Sequence, residues 1–343
     1  MEEPVNDSQF DEMIQALSDS NIDRVHWGVI GLRRMLAVDR DNTGIMQKMA
    51  DKGILEVLLR MAKQHEYPQV QKESCWIISN LATGTTMHCD WLVERGTLPI
   101  LCGVMKDGRS WAYEQALWGL GNISGDCPRH RDNVIKSGCI PTLLQLAQHS
   151  QDKGLVKCIS WVLSNLCRGK PLPKYEGIKE IIPVLARMAV SADLGSEELS
   201  DVMWAVCNHS EVQKSKISKI VDVPGFVSRA IQVSYDAFNN KALLVPSLRI
   251  VGNVSSGNEL HTEELLKNKV LDLLAIMLTN PNKVIRREAA WILSNLAAAT
   301  LSQINQLLAR EDLFKKLGQM FFDDHLDVKL EIMYVFVNLG KKL

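Results

Sequence analysis

The sequence predicts an all-α fold, a right-handed superhelical solenoid of about eight three-helix repeats, on three observations. First, one phrase recurs along the chain as SCWIISNLATG, ALWGLGNISGD, ISWVLSNLCRG, VMWAVCNHSEV, SLRIVGNVSSG, AAWILSNLAAA and IMYVFVNLGKK. Its shared slot holds Trp76, Trp118, Trp161, Trp204, Arg249, Trp291 and Tyr334, at spacings of 42, 43, 43, 45, 42 and 43 residues. Second, a step of 43 residues back from Trp76 lands on Arg33 in GLRRMLA, so eight slots account for nearly all 343 residues. Third, a different phrase recurs between the slots, as KGILEVLLRMA, RGTLPILCGVM and SGCIPTLLQLA. A helical period in the low forties marks a stack of supersecondary units, each burying its apolar face on its neighbours.

Local chemistry places the helices within each unit. Gly53, Gly96 and Gly138 suit the left-handed residue that ends a helix. Pro99 and Pro141 suit the first turn of the next helix, where the missing N–H leaves nothing unpaired. Each repeat thus reads as a short helix, a turn, a second helix, and a longer third helix carrying the slot. Three helices per unit is the armadillo arrangement rather than the two-helix HEAT one. LPKYEG at 172 and SADLGSEEL at 191 read as loops inside repeats, so the division is a short acidic segment, 1–20, and a solenoid, 21–343.

Composition excludes several functions. Lys+Arg is 39 against Asp+Glu 40, which is not the basic excess that phosphate neutralisation demands of a general nucleic-acid binder. No apolar run approaches the ~20 residues of a membrane span. The acidic start MEEPVNDSQFDEM is neither a signal nor a transit peptide. Eight scattered cysteines without a paired framework fit free thiols in a reducing compartment. The expectation is a soluble intracellular chain.

The third helix separates into two faces. At about 100° per residue, with Trp76 at the origin, Asn80 falls near 40° and Glu73 near 60°, while Ile77, Ile78 and Leu81 fall between about 100° and 200°. The aliphatic residues mark the core. A periodic Trp alone would be core filling, but an Asn follows four residues later every time: Asn80, Asn122, Asn165, Asn208, Asn253, Asn295 and Asn338. Burying each amide without partners would cost about 1–3 kcal/mol. One alternative is a ladder in which these amides bond neighbouring loops; the other is an outward-facing Trp–Asn track on a concave surface.

Such a track suits an extended basic peptide. An amide supplies one donor and one acceptor type to match a bare peptide backbone. Indoles spaced by an interhelix distance of about 10 Å form slots that admit Lys or Arg stems, with a cation–π attraction of ~0.5–2 kcal/mol. The position three before the slot is acidic at Glu73, Asp201, Glu288 and Glu331, and Asp126 adds a carboxylate at the end of ALWGLGNISGD. Arg249 interrupts the aromatic array and is expected to pair with Asp201 or Glu197. Two basic-residue sites result, one at Trp76, Trp118 and Trp161 and one at Trp291 and Tyr334, which a ligand with two clusters could bridge.

ALWGLGNISGD followed by RD at 131, WVLSNLCRGKP, LRIVGN and REAAWILSN resemble the importin alpha family over roughly residues 25–340. That resemblance implies an adaptor that binds nuclear localisation signals of cargo proteins and moves between nucleus and cytoplasm. It implies a major site of Trp76, Asn80, Gln115, Trp118, Asn122, Asp126, Trp161 and Asn165. There Asp126 and the carbonyl of Gly84 hold a key lysine, and Asp201, Trp204 and Asn208 extend the site. It implies a minor site of Glu288, Trp291, Ser294, Asn295, Glu331, Tyr334 and Asn338, with Arg249 and Asn253 between the two.

Three positions depart from the family pattern. Cys89 stands for a usual Thr, Asn208 for a common Tyr and Tyr334 for a Trp. The family's basic importin-beta-binding segment and its last repeats, used by the export receptor, have no counterpart here. Either the sequence is a trimmed piece of a longer chain or it is a natural short form, which the initial Met with a non-basic start slightly favours. The expectation is a groove that is always open and no recruitment of importin beta by the usual route.

Other motifs carry less. Gly119-x-Gly121 with Gly125 lacks the preceding strand of a dinucleotide fingerprint. His88-Cys89 and Cys127-x-x-His130 read as chance metal-ligand pairs, and Arg168-Gly169-Lys170-Pro171 lacks the spacing of a phosphate loop. No nucleophile–base set is visible, so neither enzyme activity nor a cofactor nor a metal is expected. A rival armadillo scaffold for acidic partners would need basic slots, and only Arg33 and Arg249 qualify. Aliphatic residues at an open solenoid end allow dimerisation.

Overall fold

A computed structural model describes residues 7–38, 43–107, 111–191, 193–212 and 217–343. Every regular element among them is helical. The chain forms two compact units that divide between Ile181 and Ile182, a division invisible in the repeat pattern because the period runs through it.

The first unit opens with α1 (Asp7–Ala16) and α2 (Ile22–Val38). Three full repeats follow: α3 (Thr43–Asp51), α4 (Ile54–Met61), α5 (Pro68–Leu81); α6 (Thr86–Glu94), α7 (Thr97–Lys106), α8 (Tyr113–Asp126); and α9 (Pro128–Lys136), α10 (Ile140–His149), α11 (Lys153–Leu166). The short α12 (Tyr175–Ile178) ends it. The second unit holds α13 (Ile181–Ser191) and α14 (Ser196–Val212), then α15 (Ser218–Val221), α16 (Phe226–Asp236), α17 (Lys241–Ser255). It closes with α18 (Glu259–Lys267), α19 (Val270–Met277), α20 (Lys283–Leu296) and α21 (Leu301–Leu308), α22 (Glu311–Asp323), α23 (Leu326–Gly340). Third helices stack in sequence within each unit, α2 on α5 on α8 on α11, and α14 on α17 on α20 on α23.

The punctuation follows the sequence. Gly53, Gly96 and Gly138 all have φ between 65° and 79°, the left-handed region where a Cβ is penalised. First helices reuse one start device, a capping box, at Thr85 with His88, Asn258 with His261 and Thr300 with Gln303. α1 falls in the segment 1–20 that the sequence set apart, yet its Phe10 and Ala16 are buried and it packs against α2.

The core is where helical periodicity puts it. Ile77, Ile78 and Leu81 on α5, Leu117, Leu120 and Ile123 on α8, and Val162, Leu163 and Leu166 on α11 are all fully buried. Each such side chain contributes about 1.5–3 kcal/mol over its exposed state. No described helix is long and apolar enough to cross a membrane.

Two polar contacts maintain this packing where the pattern alone would leave orphans. Pro246 lies inside α17 and has no N–H for the carbonyl of Ala242, one turn earlier. The Ser200 hydroxyl on α14 donates to that carbonyl at 3.0 Å instead. Arg131, buried on α9, donates to the carbonyls of Arg168 and Pro171 at 2.7 and 2.8 Å. It thereby pins the connection from α11 to α12, a role its place in a polar RHRD run did not reveal.

The pair Arg286–Asp324 gives the second unit a pH dependence. Arg286 Nε and Nη2 both donate to the Asp324 carboxylate at 2.7 Å. That bidentate bond holds the carboxyl below its ordinary 3.8. The folded chain therefore binds fewer protons than the unfolded one near that value. The stabilisation is complete above 3.8 and is lost as pH falls through the lower folded value. Arg286→Gln is expected to cost about 3 kcal/mol at neutral pH and to flatten the acid limb. Thermal unfolding of both chains from about pH 7 to about pH 3 checks this.

Candidate functional site

In the first unit the slots lie on α5, α8 and α11. Trp76 and Trp161 are half-buried, and Trp118 is 42% exposed. Beside them Asn80, Gln115 and Asn122 are half-buried. The indoles are therefore not sealed in the core, and they share a face with the amides as the helical wheel requires.

Within each unit the exposure of four aromatics follows the residue three positions after the preceding slot. Where that residue is Gly121, the next indole, Trp161, lies against its bare Cα, and a Cβ there would overlap Cζ3 of the ring. Gly252 accepts Trp291 in the same way. Where the residue is Ser79 or Ser294, the next ring stands out, at Trp118 and Tyr334 (51% exposed). Glycine here is a seat for the neighbour's ring. Gly121→Ala is expected to destabilise the chain by about 1–3 kcal/mol through overpacking. Gly103→Ala, where an added Cβ meets nothing within 4 Å, serves as the control that leaves Tm unchanged or raises it, and differential scanning calorimetry separates the two.

The slots are not uniformly open. The rings of Trp118 and Trp161 touch, with centroids 5.1 Å apart and planes tilted by 45°. The expected slot of interhelix width is therefore closed between these two. An alkyl stem enters only if one ring turns, because close-packed rings leave no room for a methylene chain.

Five of the seven asparagines form a ladder, but one that joins third helix to third helix and not to the neighbouring loops of the alternative reading. Asn122 Nδ2 donates to Ser79 O at 3.0 Å, and Asn165 Nδ2 to Gly121 O at 3.0 Å. In the second unit Asn253 Nδ2 reaches Ser210 Oγ at 2.8 Å, Asn295 Nδ2 reaches Ser255 Oγ at 3.0 Å, and Asn338 Nδ2 reaches Ser294 O at 2.9 Å. Each bond ties one third helix to the one before it. It consumes an amide proton and fixes the direction of Oδ1; on the half-buried Asn122, Asn295 and Asn338 the oxygen and a second N–H are left for a ligand. Asn165 and Asn253 are themselves buried, and Asn165 Oδ1 has no partner among the described residues.

The acids divide into two groups. Glu73 bonds Arg33, whose guanidinium also lies 4.1 Å from the centroid of Trp76. Glu288, buried, accepts from Arg249 Nη2 at 2.7 Å and Arg287 Nη2 at 3.0 Å. Both slot arginines thus pair with the acid of the following repeat. For Arg249 this bond to Glu288 lies on the side opposite the expected partners Asp201 and Glu197, which precede it. Glu73 and Glu288 are neutralised inside the fold and are poor anchors for a ligand cation.

Asp126, Asp201 and Glu331 are half-buried. Burial raises the Glu331 carboxyl above its ordinary range despite Arg287 nearby. Asp201, Trp204, Asn208, Arg249, Asn253, Trp291, Ser294, Tyr334 and Asn338 all belong to the second unit. The Ser294 hydroxyl there is turned onto its own helix, donating to Trp291 O at 2.8 Å.

Asp126 ends α8 and sits in a built environment. Thr86 Oγ1 donates to its Oδ1 at 3.0 Å, and Oδ2 lies 2.7 Å from His130 Nδ1. His130 is buried, and its Nε2 lies 2.8 Å from Asp90 Oδ1. Bonds from Arg129 and then His130 hold the Asp90 carboxyl below the usual range. Cys89 is buried beside them, and burial, with Asp126 next, pushes its thiol up to about 12. The sequence treated His88-Cys89 and Cys127-x-x-His130 as unrelated pairs; folding brings one residue of each together.

The comparisons agree with this architecture. The family model for armadillo/beta-catenin-like repeats matches residues 47–83, 127–168 and 258–298. The chain is similar to importin subunit alpha-1b of Oryza sativa, 32% identical over 261 residues, 76% of this chain and 47% of that protein. It is similar to importin subunit alpha-1a of the same plant, 30% identical over 80% of this chain and 51% of that protein. Importin subunit alpha-3 of Arabidopsis thaliana is 31% identical over 76% of this chain and 48% of that protein. The chain spans about half the length of these curated relatives. Among solved structures an engineered protein, 20% identical, superposes with a TM-score of 0.76 over 98% of this chain and 79% of its own, which is a likeness of fold.

Proposed function

We propose that this chain, which carries armadillo repeats and is similar to importin alpha subunits, is a nuclear import adaptor that binds lysine- and arginine-rich segments in extended form. The cargo would be proteins carrying one or two basic clusters, met in cytoplasm and nucleus. The chain would bind and carry them without catalysing a reaction.

The observation that carries the reading is the outward set of aromatic rings, each with an Asn amide one helical turn on, repeated at the spacing of the third helices. In the first unit the binding residues would be Trp76, Asn80, Gln115, Trp118, Asn122, Asp126 and Trp161, with Gly84 beside Asp126. Asp201, Trp204 and Asn208, and the set from Trp291 to Asn338, would repeat the chemistry in the second unit. Asn amides fixed by the ladder meet the peptide backbone at low entropic cost. Indole faces and Asp126 select cationic side chains. The rival scaffold for acidic ligands is disfavoured because Arg33 and Arg249 are both spent on internal carboxylates.

Fluorescence anisotropy with a labelled lysine-rich peptide and an equally long glutamate-rich one tests the proposal. The first is expected to bind, more weakly as salt rises, since ion pairs at an open surface are screened over about 10 Å at 0.1 M. Equal affinity for the acidic peptide, or indifference to salt, would sink the reading.

A further inference from the structure

We propose that Cys89, Asp126 and His130 form a binding site for a thiophilic divalent cation, with Zn(II) the best-matched occupant, and that this cation competes with a ligand's basic side chain for Asp126. One ligand atom from each residue, the Cys89 sulfur, an Asp126 oxygen and a His130 ring nitrogen, lies within 4.8 Å of the other two. Tetrahedral zinc, with bonds of about 2.0–2.3 Å, holds its ligand atoms roughly 3.5 Å apart, so small side-chain shifts close the site. Thiolate, imidazole and carboxylate together favour zinc over magnesium or calcium, which take oxygen alone.

The surroundings are those of a metal site. His130 Nε2 faces Asp90 Oδ1 at 2.8 Å, and Arg129 bonds the same Asp90. An outer carboxylate of this kind fixes the tautomer and turns the opposite nitrogen, Nδ1, toward a metal. A carboxylate faces each nitrogen of this buried ring, yet a neutral imidazole carries one N–H. A cation on Nδ1 meets the Asp126 carboxylate on that side and leaves the Nε2 side to Asp90. Thr86 holds the other oxygen of Asp126 at 3.0 Å. Asp126 also closes the 14-residue α8, whose C-terminal carbonyls favour positive charge. On binding, the Cys89 thiol gives its proton to solvent and water takes the fourth position.

The competition clause rests on the peptide reading above; the metal site does not. Co(II) titrated into the intact, reduced chain is expected to give a thiolate-to-metal absorption band that saturates at one ion per chain. Zn(II) should displace it. The band should vanish in Cys89→Ser and persist in Cys158→Ser, a buried thiol elsewhere. No band, or a band retained in Cys89→Ser, overturns the site. X-ray absorption on the unaltered zinc-loaded chain needs no variant: one sulfur with nitrogen and oxygen ligands is expected, and no sulfur or several overturns the assignment. With a lysine-rich peptide about ten times above its own Kd, half-saturation by Co(II) should rise about tenfold. An unmoved midpoint with peptide bound overturns the competition. A metal site without any peptide binding upholds the site and overturns the peptide reading.

Discussion

Replacing Trp118 and Trp161 together with alanine is expected to weaken binding of a lysine-rich peptide by on the order of 100-fold. Each indole lost removes a cation–π contact of ~0.5–2 kcal/mol and the apolar wall for the stem of the basic residue, and about 1.4 kcal/mol is tenfold. The fold should survive, because Trp118 is 42% exposed and the ring pair itself contributes only about 0.5–1.5 kcal/mol. Anisotropy titration measures the affinity, and far-ultraviolet circular dichroism verifies that helix content is retained. The two rings touch at 5.1 Å, so single substitutions will not add, and near-ultraviolet dichroism of the unaltered chain should change as peptide parts the pair. Affinity unchanged in the double variant would remove the aromatic track from the mechanism.

The second large effect belongs to Asp126→Asn. A charge-assisted hydrogen bond between a ligand lysine and this carboxylate is worth about 1.5–3 kcal/mol, so roughly a 10- to 150-fold loss is expected. The amide keeps the shape and can still accept from Thr86, which separates charge from packing. A double-mutant cycle assigns the partner: replace each peptide lysine in turn by norleucine and measure both chains. One lysine should show coupling that its neighbours lack. Equal losses for every peptide would mean that Asp126 acts on the fold, through His130 and Thr86, and not on the ligand.

The internal ion pairs explain why these predictions fall on Asp126 and not on the more regular acids three residues before each slot. Glu73 and Glu288 occupy that position in two repeats, and both are satisfied by the chain's own arginines. A substitution there disturbs a paired carboxylate, so its effect on binding would be mixed with its effect on stability.

Much of this protein follows from the order of its residues alone. A slot repeated every 42 to 45 residues dictates stacked helical units, because a unit this small cannot bury its apolar face by itself. Helical periodicity then decides that Ile77, Ile78 and Leu81 point one way and Trp76 and Asn80 the other. Gly53, Gly96 and Gly138 mark helix ends because their left-handed backbone angle penalises a Cβ.

Tertiary structure decided what happens between repeats. Periodicity gives the direction of a side chain from its own helix and nothing about which atom the next helix offers it. Hence the amides of five repeats bond the preceding third helix, Arg249 meets Glu288 of the following repeat, and Trp118 meets Trp161. Cys89, Asp90, Asp126 and His130 come from three different helices, and their meeting depends on interhelix distances of a few ångströms, which no spacing in a sequence encodes.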